Sequence, residues 1–246
     1  MKHTFTLSPE VSQAYPNAQI RFVTVTGLRN GEVWDAVETR IADLEAQVAS
    51  GTWQPLEKSD APIASWHDAY RSFGTNPNRN RPSVDALSRR LTKNAKLPRI
   101  NSAVNAYNLI SVLYGAPSGA FDLDKISGPV TIRFGQGGDH FTPLGEPETN
   151  EEPTTTEVVY AQGSTVLTRH WNYRDSDLTK VTEDSRSVVF LMERISAEAV
   201  SNERMQQAQN DLAELLRPHC ETLIMSVIEP ETPSTELQDN EPGFMV

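Results

Sequence analysis

The hydrophobic pattern changes period along this chain, and that change limits the fold more than any single motif does. Through residue 114, apolar residues recur at steps of three and four, as helices require. Trp34, Val37, Ile41, Leu44 and Val48 form one such stripe, and Ser50 with Gly51 closes it. A short helix is predicted over 65–73, bearing Trp66, Tyr70 and Phe73. Pro82 and Ser83 open another, with Val84, Leu87 and Leu91 inward. A further helix is predicted over Ser102–Tyr114, stopped by Gly115 and Pro117. From Asp122 onward the pattern becomes short β-type runs: 130–134, 158–161, 165–175 and 187–195. A strand over 20–26 precedes the helices, and a helix over 198–216 followed by a strand over 223–228 comes after the sheet-rich half. The expected class is therefore α+β, a layered domain with a sheet-rich core packed by helices. Strand–helix and helix–strand additions flank it at the two ends.

Several classes are disfavoured at once. The single cysteine, Cys220, excludes an intramolecular disulfide and every multi-cysteine metal site, which fits a reducing, cytoplasmic setting. The longest apolar run, 188–192, is far below the roughly 20 residues of a membrane helix, and 1–11 lacks a signal-peptide core. Neither membrane insertion nor secretion is expected. His3, His67, His140, His170 and His219 fall in no metal-ligand spacing, and Gly135, Gly137 and Gly138 lack the strand-to-helix context of a nucleotide loop. No metal and no cofactor are implied.

The net charge of −11 is unevenly placed. Glu146, Glu148, Glu151, Glu152 and Glu157 lie in one stretch without a basic residue, which reads as a surface loop or mobile flap. Residues 229–246, also acidic throughout, have the composition of a disordered tail. Between 71 and 100 the balance reverses: Arg71, Arg79, Arg81, Arg89, Arg90, Lys93, Lys96 and Arg99 face Asp85 alone. Such a run is either a solvated helix face or a surface for phosphates.

Two polar constellations stand out. Asn101, Asn105 and Asn108 share a helical stripe, although asparagine is a poor interior helix former. They either face solvent or line a polar pocket. The run from Arg169 to Asp175 has WNYRD at its centre; on a strand, His170, Asn172 and Arg174 share one face, with Trp171, Tyr173 and Asp175 on the other. The first face is either solvated at a sheet edge or able to recognise a carboxylate, phosphate or carbonyl. Thr179 and Thr182 extend that site or cap the turn that follows it.

Four segments together carry a family resemblance: Asn105-Ala106-Tyr107-Asn108, the run from Gly115 to Phe134, the WNYRD run, and 182–195. They resemble the B3/B4 domain of the bacterial phenylalanyl-tRNA synthetase β subunit, and in particular its free-standing relatives. The likeness covers roughly 60–196, which leaves 1–59 as an N-terminal extension, 197–228 as a C-terminal helix and strand, and 229–246 as the tail. The family motif Gly-Gln-Pro-x-His-Ala-Phe-Asp is matched by Gly115, Pro117, Ala120, Phe121 and Asp122, with Gly119 in place of the histidine. The family's Gly-Gly-Glu segment has no clear counterpart.

What the resemblance implies is hydrolysis in trans of the ester of a mischarged aminoacyl-tRNA, a second sieve where binding alone discriminates too little. On that reading Asn172 and Arg174 orient the aminoacyl group or water, Trp171 shapes the pocket, and Asn105 and Asn108 complete its polar wall. His170, Asp175, Thr179 and Thr182 are further substrate contacts, and Pro117, Ser118 and Gly119 bring backbone groups to the scissile ester. The basic run from Arg71 to Arg99 holds the acceptor end of tRNA, with neither DNA nor a membrane as partner. The alternatives are a non-catalytic RNA-binding module of the same fold and a binder of small, amino-acid-like molecules.

Overall fold

The computed structural model describes residues 2–238. Its elements, in chain order, are β1 (Lys2–Leu7), α1 (Pro9–Ala14), β2 (Gln19–Thr26), α2 (Asp35–Ser50), α3 (Ala61–Ser72), α4 (Ser83–Asn94) and α5 (Ser102–Tyr114). Then come β3 (Ser118–Asp122), β4 (Val130–Phe134), β5 (His140–Phe141), β6 (Val158–Gln162), β7 (Thr165–Arg169), β8 (Arg174–Asp175), β9 (Val188–Arg194), α6 (Asn202–Leu216), β10 (Thr222–Ile228) and β11 (Ser234–Gln238). The class is α+β. Four strands form one sheet in the order β10-β2-β9-β3; the others form a second, in the order β11-β1-β4-β6-β7-β5, with β8 paired to β7.

Alternation along β9 explains how the layers stack. Val188, Phe190 and Met192 join a core with Leu44, Leu91, Leu109 and Leu212 from the helices. Val189 and Leu191 point the other way, into a core between the two sheets that also holds Phe5, Phe22, Ile132, Tyr160 and Leu167. Helices, four-stranded sheet and larger sheet are thus three layers, and β9 is buried at every position. A strand covered on both faces reads as a continuous apolar run. Glu193 follows that run near the end of the strand, and its parity with Val189 and Leu191 directs it into the inter-sheet layer.

The helix signals resolve into specific caps. Asn101 Oδ1 accepts the Val104 amide at 3.0 Å and opens α5. Gly115, at φ 72, closes it with its amide on Ser111 O, and a Cβ there would meet Leu56 and Pro62 at 3.0–3.3 Å. Helix α4 is held to α3 by a buried pair, His67 Nε2 and Asp85 Oδ2 at 3.0 Å.

Three expectations are corrected. The acidic tail is ordered in part: β11 pairs antiparallel with β1, from Lys2↔Gln238 to Thr6↔Ser234, and Leu237 is buried. Without β11, β1 would be an open sheet edge with its amides and carbonyls unpaired, and that demand outweighs the local composition. Residues 239–246 lie outside the described ones. Second, the acidic stretch is pinned. Glu151 and Glu157 both bond Arg169, and Glu146 bonds Arg174.

Third, 165–175 is not one strand. After Arg169 the backbone turns left-handed at His170 (φ 47) and Trp171 (φ 69), and β8 pairs back onto β7 through Thr168↔Asp175 and Arg169↔Arg174. Left-handed backbone at non-glycine residues costs on the order of 1–3 kcal/mol each. Burial of Trp171 offsets it: the indole packs edge-on against Trp66 and Tyr15, with ring centroids 5.5 and 5.1 Å apart, and its backbone amide reaches Val158 O at 2.6 Å. The expected two-face alternation therefore ends at Arg169.

Candidate functional site

A pocket of about 230 Å³ opens where α4, α5, β3, the β7–β8 turn and β9 meet. Helix α4 contributes Ser83, Ala86 and Leu87, and α5 contributes Tyr107 and Asn108. Strand β3 brings Ser118, Gly119 and Phe121 to the opposite wall. The turn and β8 supply Trp171, Asn172, Tyr173 and Asp175, with Tyr160, Thr168, Leu191 and Glu193 behind them.

Glu193 is the hub of the polar wall. Tyr160 Oη and Trp171 Nε1 both donate to its Oε1, the latter at 3.0 Å, and Asn172 Nδ2 donates to Oε2 at 3.0 Å. Asn172 Oδ1 in turn accepts from Tyr70 Oη at 2.8 Å. Burial pushes the Glu193 carboxyl up to about 8, although three donors pull it down, and the nearby Asp175 adds to the rise. Burial likewise lifts Asp175 to about 6, against a hydrogen bond from Thr168 Oγ1 at 2.8 Å. Both phenols bonded into this network, Tyr70 and Tyr160, are raised by burial and by the adjoining Glu193. The Asn108 amide and the Ser83 hydroxyl face the same region with no hydrogen-bond partner among the described residues.

The expected site residues divide. Asn108, Ser118, Gly119, Trp171, Asn172 and Asp175 line the pocket. Arg174 does not: its Nη2 donates to Glu146 Oε1 at 2.8 Å and to Leu144 O at 3.2 Å. His170 sits behind the turn, receiving Asn80 Nδ2 on Nε2 at 2.9 Å and presenting Nδ1 to Glu157 Oε2 at 2.8 Å. Asn105 is structural, accepting the Ile100 amide and donating to Glu38 Oε1. Pro117 is buried beside the wall, and its carbonyl accepts the Glu193 amide at 2.9 Å. Thr179 is buried in the turn after β8, and Thr182 closes a tight turn with Ser185 and Asn30. Neither reaches the pocket.

Glu193, Tyr160, Tyr70, Tyr107 and Thr168 were not among the expected site residues. Glu193 left one trace in the sequence, a carboxylate that directly follows the apolar run 188–192 on the same strand, a position a charge occupies only with partners where it is buried. The other four read as ordinary core or strand residues.

The basic run also divides. Arg71 pairs with Asp68 and Lys96 with Glu45; Arg99 bridges Glu38 and Glu45, and Arg81 approaches Asp85 at 3.9 Å. Arg79, Arg89, Arg90 and Lys93 are exposed and make no ion pair among the described residues. The last three line a groove of about 650 Å³ between α4 and the 56–58 connector. Ala86 borders both this groove and the pocket. Among the described residues no helix is long and apolar enough to cross a membrane, and no three His, Cys, Asp or Glu side chains converge to hold a metal ion.

No curated protein matches the chain. Among solved structures, an N-terminal fragment of the phenylalanyl-tRNA synthetase β-subunit from Pyrococcus horikoshii aligns at a TM-score of 0.46 and 15% identity. The alignment covers 91% of this chain and 50% of that one, so this chain spans about half the fragment's length. The family model of the B3/4 domain matches residues 65–220, from within α3 to just past α6, and every residue that lines the pocket falls inside it. With more than half of its length matched, the chain belongs to the B3/4 domain family.

Proposed function

We propose that the chain binds tRNA and hydrolyses the ester of mischarged aminoacyl-tRNA in trans. The observation that carries this reading is the junction at Ala86: a pocket with a polar wall adjoins a groove with three uncommitted cations, Arg89, Arg90 and Lys93. A charged groove beside a small pocket fits a ligand with a phosphate backbone at one end and a compact acyl group at the other. Membership of the B3/4 family supports the choice of tRNA.

In this reading the aminoacyl group enters between Phe121, Tyr107 and Trp171. Ester hydrolysis needs a placed water and donors for the oxygen that gains charge. The amides of Asn108 and Asn172, the Ser83 hydroxyl and the backbone at Ser118 and Gly119 supply those contacts, and the substrate's terminal ribose hydroxyl relays the proton. Arg174, committed to Glu146, has no part in this step.

A second reading keeps tRNA binding without chemistry. It is favoured by Gly119, which puts no imidazole in a pocket that no other histidine lines. Incubation with a panel of correctly and incorrectly charged tRNAs separates the two. Faster loss of a mischarged ester than in buffer supports hydrolysis; no acceleration with any member, alongside salt-sensitive binding, leaves the binding module.

A further inference from the structure

The pocket holds two carboxyl groups, Asp175 and Glu193, and no lysine, arginine or histidine lines it. The cations nearest in sequence are engaged elsewhere: Arg169 with Glu151 and Glu157, Arg174 with Glu146, and Arg194 through Nη1 on Val200 O. Glu193 spends both oxygens on Tyr160, Trp171 and Asn172. Asp175 spends only Oδ1, on Thr168, and no described residue donates to Oδ2. That oxygen faces Gly119, where a Cβ would stand 3.9 Å from it and 3.8 Å from Leu191 Cδ1. The missing side chain leaves the space in front of the carboxylate open.

We propose that this pocket selects its ligand through a free ammonium group, which Asp175 Oδ2 receives in the space beside Gly119 while the surrounding rings face the cation. Asp175 is half-buried; a partly desolvated carboxylate without a counter-charge is costly, and a ligand that brings the missing positive charge recovers part of that cost. Five aromatic residues, Tyr107, Phe121, Tyr160, Trp171 and Tyr173, line the same pocket, and ammonium groups favour aromatic surroundings. For an aminoacyl ester the group is the α-ammonium, and this identification rests on the proposed function. N-acylated aminoacyl groups are then poor ligands.

The test is calorimetric titration of the full chain with alaninol, leucinol and phenylalaninol and with their N-acetyl forms. At least one amino alcohol is expected to bind about tenfold or more tighter than its acetylated partner, the worth of a charge-assisted hydrogen bond. Asp175→Asn should bring that ratio close to one. Gly119→Ala, whose backbone is not left-handed, should shrink it by covering Oδ2, and it keeps the test open where Asp175→Asn does not fold. No binding by any amino alcohol, equal binding of the acetylated forms, or a ratio that survives the foldable variants overturns the proposal. Hydrolysis is read separately. Amine selectivity without ester cleavage sinks only the enzymatic reading, whereas equal cleavage of aminoacyl-tRNA and N-acetylaminoacyl-tRNA sinks this one.

Discussion

Glu193 and Asp175 occupy a wall where burial and hydrogen bonding pull in opposite directions, and the consequence is measurable as pH dependence. A carboxyl whose pKa rises on folding contributes stability that is full below its unfolded value and is lost as pH climbs through the folded one. For Glu193 that window runs from the ordinary 4.5 to about 8, and for Asp175 from 3.8 to about 6. The melting temperature is therefore expected to carry a component that falls between about pH 5 and pH 8, and Glu193→Gln should flatten it. Parallel curves for the two proteins would show that Glu193 does not titrate in that range. At the same scale, Asn108→Ala is expected to lower ester turnover by about 10²-fold, as loss of one donor to a developing oxyanion does, with tRNA affinity nearly constant. Arg174→Ala should leave turnover within about twofold, because the guanidinium lies on Glu146 outside the pocket. Single-turnover deacylation assays with both variants decide these roles.

The β7–β8 turn and α4 are the two elements that make the pocket usable. The turn exists because Trp171 is buried between Trp66, Tyr15 and Glu193 while its backbone is left-handed. Trp171→Ala should cost about 3–5 kcal/mol in denaturant unfolding, the usual range for a large core aromatic. It should also abolish ligand binding, since Asn172 and Asp175 lose their placement. Helix α4 works through charge. The triple variant Arg89→Ala, Arg90→Ala, Lys93→Ala should weaken tRNA binding and reduce the slope of log affinity against log salt by about 0.7–0.9 per lost phosphate contact. An unchanged slope would mean that tRNA approaches elsewhere. Six-residue α1 is too short to show a stripe, but α2 to α6 were readable from their spacing and stops, and the caps at Asn101 and Gly115 follow the same logic. The turn was not, because alternation cannot register a reversal that tertiary burial of one indole enforces.

For the molecule as a whole, the N- and C-terminal segments are part of the sheets that flank the site. β2 lies between β9 and β10 in the four-stranded sheet, and β1 lies between β4 and β11 in the larger one. Ending the chain after Glu229 should open the β1 edge, remove buried Leu237 and lower stability by at least about 1.5–3 kcal/mol, the worth of one buried leucine. Coincident unfolding of the full and shortened chains in denaturant would show that β11 adds nothing. What the sequence by itself determined were the features set within a few residues: the change of period, the helix stops, the basic face of α4 and the motif that marks the family. Local spacing decides those. Tertiary structure alone decided that β11 completes β1, that the acidic stretch is tied to Arg169 and Arg174, and that Glu193, Asp175 and Asn108 meet while Arg174, Asn105 and Thr182 stay apart. Those outcomes depend on pairings between distant segments, where each buried polar group takes whichever partner the packed layers bring to it.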